Sequence, residues 1–170
     1  MKSLMPIAVL GLVCGSAFAD NGKAYLTIVA EKKIIADKTV PHSMAFLEYP
    51  DGTSKWLGFV PKEAKTPIGE GKIDTSAPDR GLDKWVRLEV DAKRLADAEK
   101  KTREKYASIK YEVTVCDCVS FTADLCEAAG LKIPVRPNFV PANLPDRLKE
   151  LNPAAHPVVG TGKLGASSGK

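Results

Sequence analysis

Few residues in this chain could do covalent or acid–base chemistry. Among 170 residues there are four cysteines, Cys14, Cys116, Cys118 and Cys126, and two histidines, His42 and His156. A thiolate is a strong nucleophile and an imidazole titrates near neutrality, so a cysteine with a histidine suits attack on a carbonyl carbon. Cys118 is the most informative of the six. Asp117 reads as a helix N-cap and Cys118 as the residue that opens the helix. The unpaired N–H groups and positive dipole end of a first helical turn favour thiolate over thiol, and the charge of Asp117 opposes them. Phe121, Leu125 and Ala129 follow Cys118 at helical steps and make an apolar stripe that must pack on a sheet. The spacing therefore puts Cys118 at the end of a buried face, where a partner on a strand reaches it. Cys126 falls to the side of the stripe, and Cys116 ends the preceding strand. His42 opens the hydrophobic run HSMAFLEY, which fixes an imidazole on a sheet, whereas His156 lies among prolines near the tail. Cys118 as nucleophile and His42 as general base and acid are the expected catalytic pair.

The export signal sharpens the cysteine arithmetic. Lys2, the apolar stretch 6–13 and Ala17-Phe18-Ala19 before Asp20 read as a secretory signal peptide over 1–19. Cys14 leaves with it, and Val13 before Cys14 does not fit a lipid-anchor pattern. The expected mature chain is exported, periplasmic or secreted, with no stable membrane insertion after cleavage. Three cysteines then remain, so at least one thiol is unpaired within the chain. Cys116 and Cys118 are too close in sequence for an easy disulfide, and Cys126 is two helical turns on.

Other signals lead nowhere specific. C-x-C-x7-C matches no strong zinc pattern, so no metal and no cofactor is expected. Cys-Asp-Cys lacks the C-x-x-C spacing of a redox pair. Gly160-Thr161-Gly162-Lys163 is not a phosphate loop, because Leu164 stands where Ser or Thr is needed. Net charge is +4 without a Lys/Arg block, so no nucleic-acid partner is expected. Trp56 and Trp85 read as core or sheet-packing residues.

The elements that must position the pair follow from periodicity and turn chemistry. Strands are expected at 24–30, 43–49 and 55–60, with Asp51-Gly52 turning the last two into a hairpin. Residues 61–84 read as loop, punctuated by Pro61, Pro67, Gly69, Gly71, Pro78 and Gly81. A strand at 85–90 leads to a helix from Asp91 to about Tyr106. Residues 109–115 alternate, with Ile109, Tyr111, Val113 and Val115 on one face of a strand. The Cys118 helix runs to 129 and stops at Gly130, and a short helix is expected at 145–151. The fold class is α+β, an antiparallel sheet packed against helices in one domain over 20–151, with 152–170 a Pro/Gly/Ser-rich disordered tail.

The stretch 111–134, with Tyr111, Cys118-Val-Ser-Phe121, Leu125 and Glu127-Ala-Ala-Gly-Leu131 before Pro134, resembles the nucleophile helix of permuted papain-like cysteine hydrolases. These are the NlpC-type cell-wall peptidases and the lecithin–retinol acyltransferase-like group. In the permuted arrangement the histidine strand precedes the cysteine helix, as His42 precedes Cys118. The hairpin 42–61 is similar to that group's histidine strand and its neighbour. The resemblance implies that Cys118 attacks an amide or ester carbonyl, that His42 moves the proton, and that N–H groups at the helix start, including that of Cys118, hold the oxyanion. It also implies a third polar residue that orients the histidine, which the sequence does not place. Glu48 is too far along the strand, and Glu31, Glu70 and Asp74 depend on the fold.

The expected activity is hydrolysis of an amide bond in peptidoglycan peptides through a thioester. Two alternatives stand beside it: an acyltransferase or lipid esterase of the same fold, and a catalytically silent module that binds cell wall or protein. A protein inhibitor or delivery partner is not identifiable from the residues.

Overall fold

The computed structural model describes residues 22–35, 38–63, 67–78, 81–113, 115–135 and 140–164. The expected signal peptide, residues 1–19, lies outside the described residues. The strands are β1 (Lys23–Ile35), β2 (Lys38–Glu48), β3 (Ser54–Pro61), β4 (Ile68–Asp74), β5 (Leu82–Asp91), β6 (Lys110–Glu112) and β7 (Val158–Gly162), and the helices are α1 (Ala92–Tyr106), α2 (Cys118–Ala128) and α3 (Leu144–Leu151). The strands form one sheet in the order β6-β4-β3-β2-β1-β5-β7, with every printed pairing antiparallel. This is the α+β architecture that the residue pattern implies, and the histidine strand precedes the cysteine helix. None of the described helices is long and apolar enough to cross a membrane.

The β2–β3 hairpin forms around Asp51-Gly52. Gly52 takes a φ of 83°, and the Asp51 carboxylate accepts the Thr53 N–H at 2.8 Å. The ladder runs from Glu48 opposite Ser54 to Met44 opposite Gly58. Beyond that point β3 continues against β4, with Pro61 opposite Gly71. The β1–β2 ladder goes much further, to Ile35 opposite Lys38. At His42 and Ser43, β2 is therefore paired on its β1 side and has passed the end of its β3 ladder.

Alternation along the strands sorts side chains to two faces. Leu26, Ile28, Ala45, Leu47, Leu57, Phe59, Val86 and Leu88 are buried in one large core with residues of all three helices. Helix α1 presents Ala92, Leu95, Ala98, Thr102 and Tyr106 to that core at helical spacing, and Asp91 caps it by accepting the Arg94 N–H at 2.8 Å. The opposite face holds a smaller cluster of Val29, Met44 and Leu82, with Trp56, Trp85 and Leu164 packed around it. Glu99 of α1 ties the hairpin to the helix layer. It accepts from Tyr49 at 2.7 Å, Lys55 at 2.9 Å and Arg103 at 2.9 Å. Burial alone would raise the Glu99 carboxyl, but Lys55, Tyr49 and Arg103 outweigh it and hold it below its ordinary value.

Three expectations need correction. Residues 68–74, expected as loop, form β4. Its two glycines weaken any strand signal, yet Gly71 is where the Phe59 ring packs, and a Cβ there would collide with it. The strand expected over 109–115 is only Lys110–Glu112. The chain turns at once: the Cys116 N–H donates to the Glu112 carbonyl at 2.8 Å, which leaves Val113 and Val115 exposed. The tail is partly ordered. Residues 158–162 pair with β5, and Gly160 lies under the Trp85 indole, where any side chain would clash. Small residues that read as disorder are there what allows close packing.

Candidate active site

Helix α2 begins where the sequence places it. Asp117 is its N-cap and completes a capping box: its carboxylate accepts the Ser120 N–H at 2.9 Å, and the Ser120 hydroxyl accepts the Asp117 N–H at 3.1 Å. Cys118, Phe121, Leu125 and Ala129 are all buried along one stripe, and Gly130 ends the helix with a φ of 87°.

The Cys118 sulfur meets β2 at the peptide between His42 and Ser43, where it receives the Ser43 N–H. A second contact fixes this meeting. The Ser43 and Thr122 hydroxyls lie 3.2 Å apart, and Thr122 also donates toward the Cys118 carbonyl at 3.1 Å. The first turn of α2 is thus held against the stretch of β2 that carries His42.

His42 is 2% exposed. By alternation it shares a face with Met44 and Phe46, whereas Ser43 shares the α2 face with Ala45 and Leu47. Its Nε2 lies 3.4 Å from where a Cβ on Gly58 would stand. Gly58 makes room for the imidazole at the end of the β2–β3 ladder. The structure therefore brings Cys118 and His42 to one peptide unit, with the thiol and the imidazole approaching it from the two faces of β2. The contact is between sulfur and main chain.

The carboxylates that the sequence leaves open are now placed. Glu31 on β1 stands directly opposite His42 in the β1–β2 register, and the two residues are 4% and 2% exposed. Asp74 on β4 stands opposite Gly58, on the far side of the imidazole. Glu70 is exposed and paired with Lys62 at 2.8 Å, away from the site. Glu31 is one of the three carboxylates that the sequence left open, and the register sets it across from His42. The two are eleven positions apart in sequence, and only the strand register could choose it among the three. Tyr111 on β6 adds a hydroxyl within hydrogen-bonding reach of the Cys118 sulfur.

The electrostatics differ from expectation. Burial pushes the Cys118 thiol up to about 12. The N–H groups of Ser43, Val119 and Cys118 itself act to lower it, and the Asp117 charge adds to the rise. The helix N-terminus is present, but at a nearly water-free site desolvation outweighs it, and the resting group is a neutral thiol. Cys126 is fully buried and its thiol is pushed up by burial alone. Cys116 is half-buried and raised by burial, with the Tyr106 hydroxyl working the other way. All three thiols are free. His156 is exposed with a left-handed φ of 46°, on the turn before β7. Among the described residues no group of three or more His, Cys, Asp or Glu side chains could hold a metal ion.

A search of solved structures finds the type VI secretion system effector TseH, with a TM-score of 0.55 and 13% sequence identity, covering 81% of this chain and 91% of that chain. At that identity the likeness is one of fold. No protein-family model and no curated protein sequence matches the chain.

Proposed function

We propose that the protein is an exported cysteine hydrolase that cleaves an amide bond in peptidoglycan peptides. The observation that carries this reading is the seating of the Cys118 sulfur on the His42–Ser43 peptide, with Glu31 across from His42. The shared fold with a secretion-system effector supports a hydrolase acting outside the producing cell.

In this reading the Cys118 sulfur attacks the carbonyl carbon as His42 takes the thiol proton. A thiol held near 12 favours proton removal during attack over a standing thiolate. Because the imidazole and the sulfur lie on opposite faces of β2, this transfer requires His42 to swing past the end of the β2–β3 ladder during turnover. The oxyanion is held by N–H groups at the start of α2 and by the Tyr111 hydroxyl. The C–N bond then breaks, the amine leaves with the proton from His42, and the acyl group remains as a Cys118 thioester. Water attacks the thioester, with its proton passing to His42, and releases the carboxylate and the free thiol. Glu31 acts as a positioning residue that fixes the tautomer and angle of His42.

The test is digestion of purified peptidoglycan, read by mass spectrometry of the released fragments. The expected result is new amine and carboxyl ends with the wild type, none with Cys118→Ala, and a loss of about 100-fold or more with His42→Ala. Glu31→Gln is expected to lower the rate and shift its pH profile. Products from Cys118→Ala equal to wild type would sink the hydrolase reading and leave a binding role.

A further inference from the structure

A second cluster of side chains, which amide hydrolysis does not use, gathers around Trp56. Phe46 and Trp56 stand opposite each other across the β2–β3 ladder, with ring centroids 4.6 Å apart and planes inclined by 36°. Both are half-buried. Trp56 lines two hollows of contrasting character. One, of about 390 Å³, is largely apolar, with Pro78, Leu82 and Leu164 beside the indole and Lys163 as the charged residue among those described. The other, of about 340 Å³, joins Phe46, Ser54, Lys55, Thr75 and Arg103 to Trp56. Each is at the lower end of the size range of small-ligand sites.

The second hollow is basic. Lys55 and Arg103 each face the Glu99 carboxylate at 2.9 Å, so two cations stand against one anion. Asp51 also feels the Lys55 charge, but from the exposed hairpin turn, where water weakens the attraction. Neither cation is used up by Glu99. Lys55 gives two donors to the carboxylate oxygens, at 2.9 and 3.1 Å, and an ammonium has three. Arg103 donates through Nε at 2.9 Å, which leaves the outer fork of its guanidinium. Ser54 and Thr75 add exposed hydroxyls. A guanidinium fork, an ammonium and hydroxyls suit the several acceptor oxygens of a phosphate. The apolar hollow offers a flat ring an offset stack on the indole.

We propose that the two hollows together bind a small aromatic phosphate ester of the nucleotide class, with its phosphate at Lys55 and Arg103 and its ring on Trp56. Lys163 adds a third positive charge across the indole. The chain has no Lys/Arg block, which suits a single nucleotide better than a long strand. Phe46 and Trp56 lie on the sheet face opposite the Cys118 sulfur. The site is therefore separate from the proposed cleavage, and the inference does not rest on the hydrolase reading.

The test is calorimetric titration of the protein with adenosine 5′-monophosphate, beside adenosine, inorganic phosphate and a single strand of four adenylates. The expected result is saturable binding of the monophosphate, with adenosine and phosphate each at least tenfold weaker. Arg103→Gln is expected to weaken it at least tenfold, and Trp56→Phe, Thr75→Ala and Lys163→Gln by a few-fold each. Thr75 and Lys163 are exposed, so their variants keep the test open if Arg103→Gln fails to fold. Absence of saturable binding would overturn the proposal. So would adenosine binding as tightly as its monophosphate, or binding that Trp56→Phe, Thr75→Ala and Lys163→Gln all leave unaltered. A strand of four adenylates binding more than tenfold tighter than the monophosphate would overturn the assignment to a small ligand.

Discussion

The Ser43 hydroxyl of β2 and the Thr122 hydroxyl of α2 stand 3.2 Å apart, and neither residue is exposed at all. This pair joins the strand that carries His42 to the helix that carries Cys118. Thr122→Val keeps the shape and removes the hydroxyl. It leaves the Ser43 hydroxyl buried with one partner fewer, a cost of about 1–3 kcal/mol. Urea unfolding checks this, and the double variant Ser43→Ala/Thr122→Val is expected to lose less than the sum of the single losses. Full additivity would show that the two hydroxyls are not coupled.

Gly58 is where the imidazole needs space. An added Cβ would stand 3.1 Å from Met44 and 3.4 Å from His42 Nε2. Gly58→Val is therefore expected to overpack this face by about 1–3 kcal/mol, and to lower the digestion rate by more than its melting temperature explains. Activity that tracks stability alone would mean that the imidazole position is not limiting.

Thiol labelling orders the cysteines by access. Cys116 is half-buried, Cys118 is buried, and Cys126 is fully buried. Iodoacetamide at pH 7.5, followed by peptide mapping, is expected to modify Cys116 first and Cys126 last. Cys118 gains no head start from its helix position, because its thiol is held near 12. Preferential labelling of Cys118 in the resting protein would contradict the desolvated site.

Alkaline pH should destabilise the fold. The Cys118 thiol rises from its ordinary 9.0 to about 12 in the folded state, mainly through burial. Cys126, Tyr106 and Tyr111 are also pushed up, burial again the first cause. Each favours its protonated form when folded, so its contribution is complete below the unfolded value and is lost as pH rises toward the folded one. For Cys118 that window is pH 9 to 12. Melting temperatures between pH 7 and 11 are expected to be flat at first and then to fall, and Cys118→Ala to soften the fall. A wild-type curve that stays flat to pH 11 would show that these groups titrate normally.

The residues by themselves determined the helix start at Cys118, because a cap, an apolar stripe at helical steps and a terminal glycine are local signals within one element. They also determined the β2–β3 hairpin, whose Asp-Gly turn and alternation need no partner to be read. Glycine hid β4 and β7. In both, a residue without a side chain marks where another strand's aromatic ring packs close, and closeness of that kind is a property of two segments. The site divides along the same line. Cys118 and His42 are candidates named from residue type and spacing, and that they meet β2 from opposite faces is decided by the fold. Glu31, the space over Gly58 and the Ser43–Thr122 junction exist only through strand register and helix docking. The state of the thiol also depended on the tertiary structure. A helix start argues for a low value, but burial of the sulfur between α2 and β2 decides for a high one, since desolvation depends on everything packed around the group.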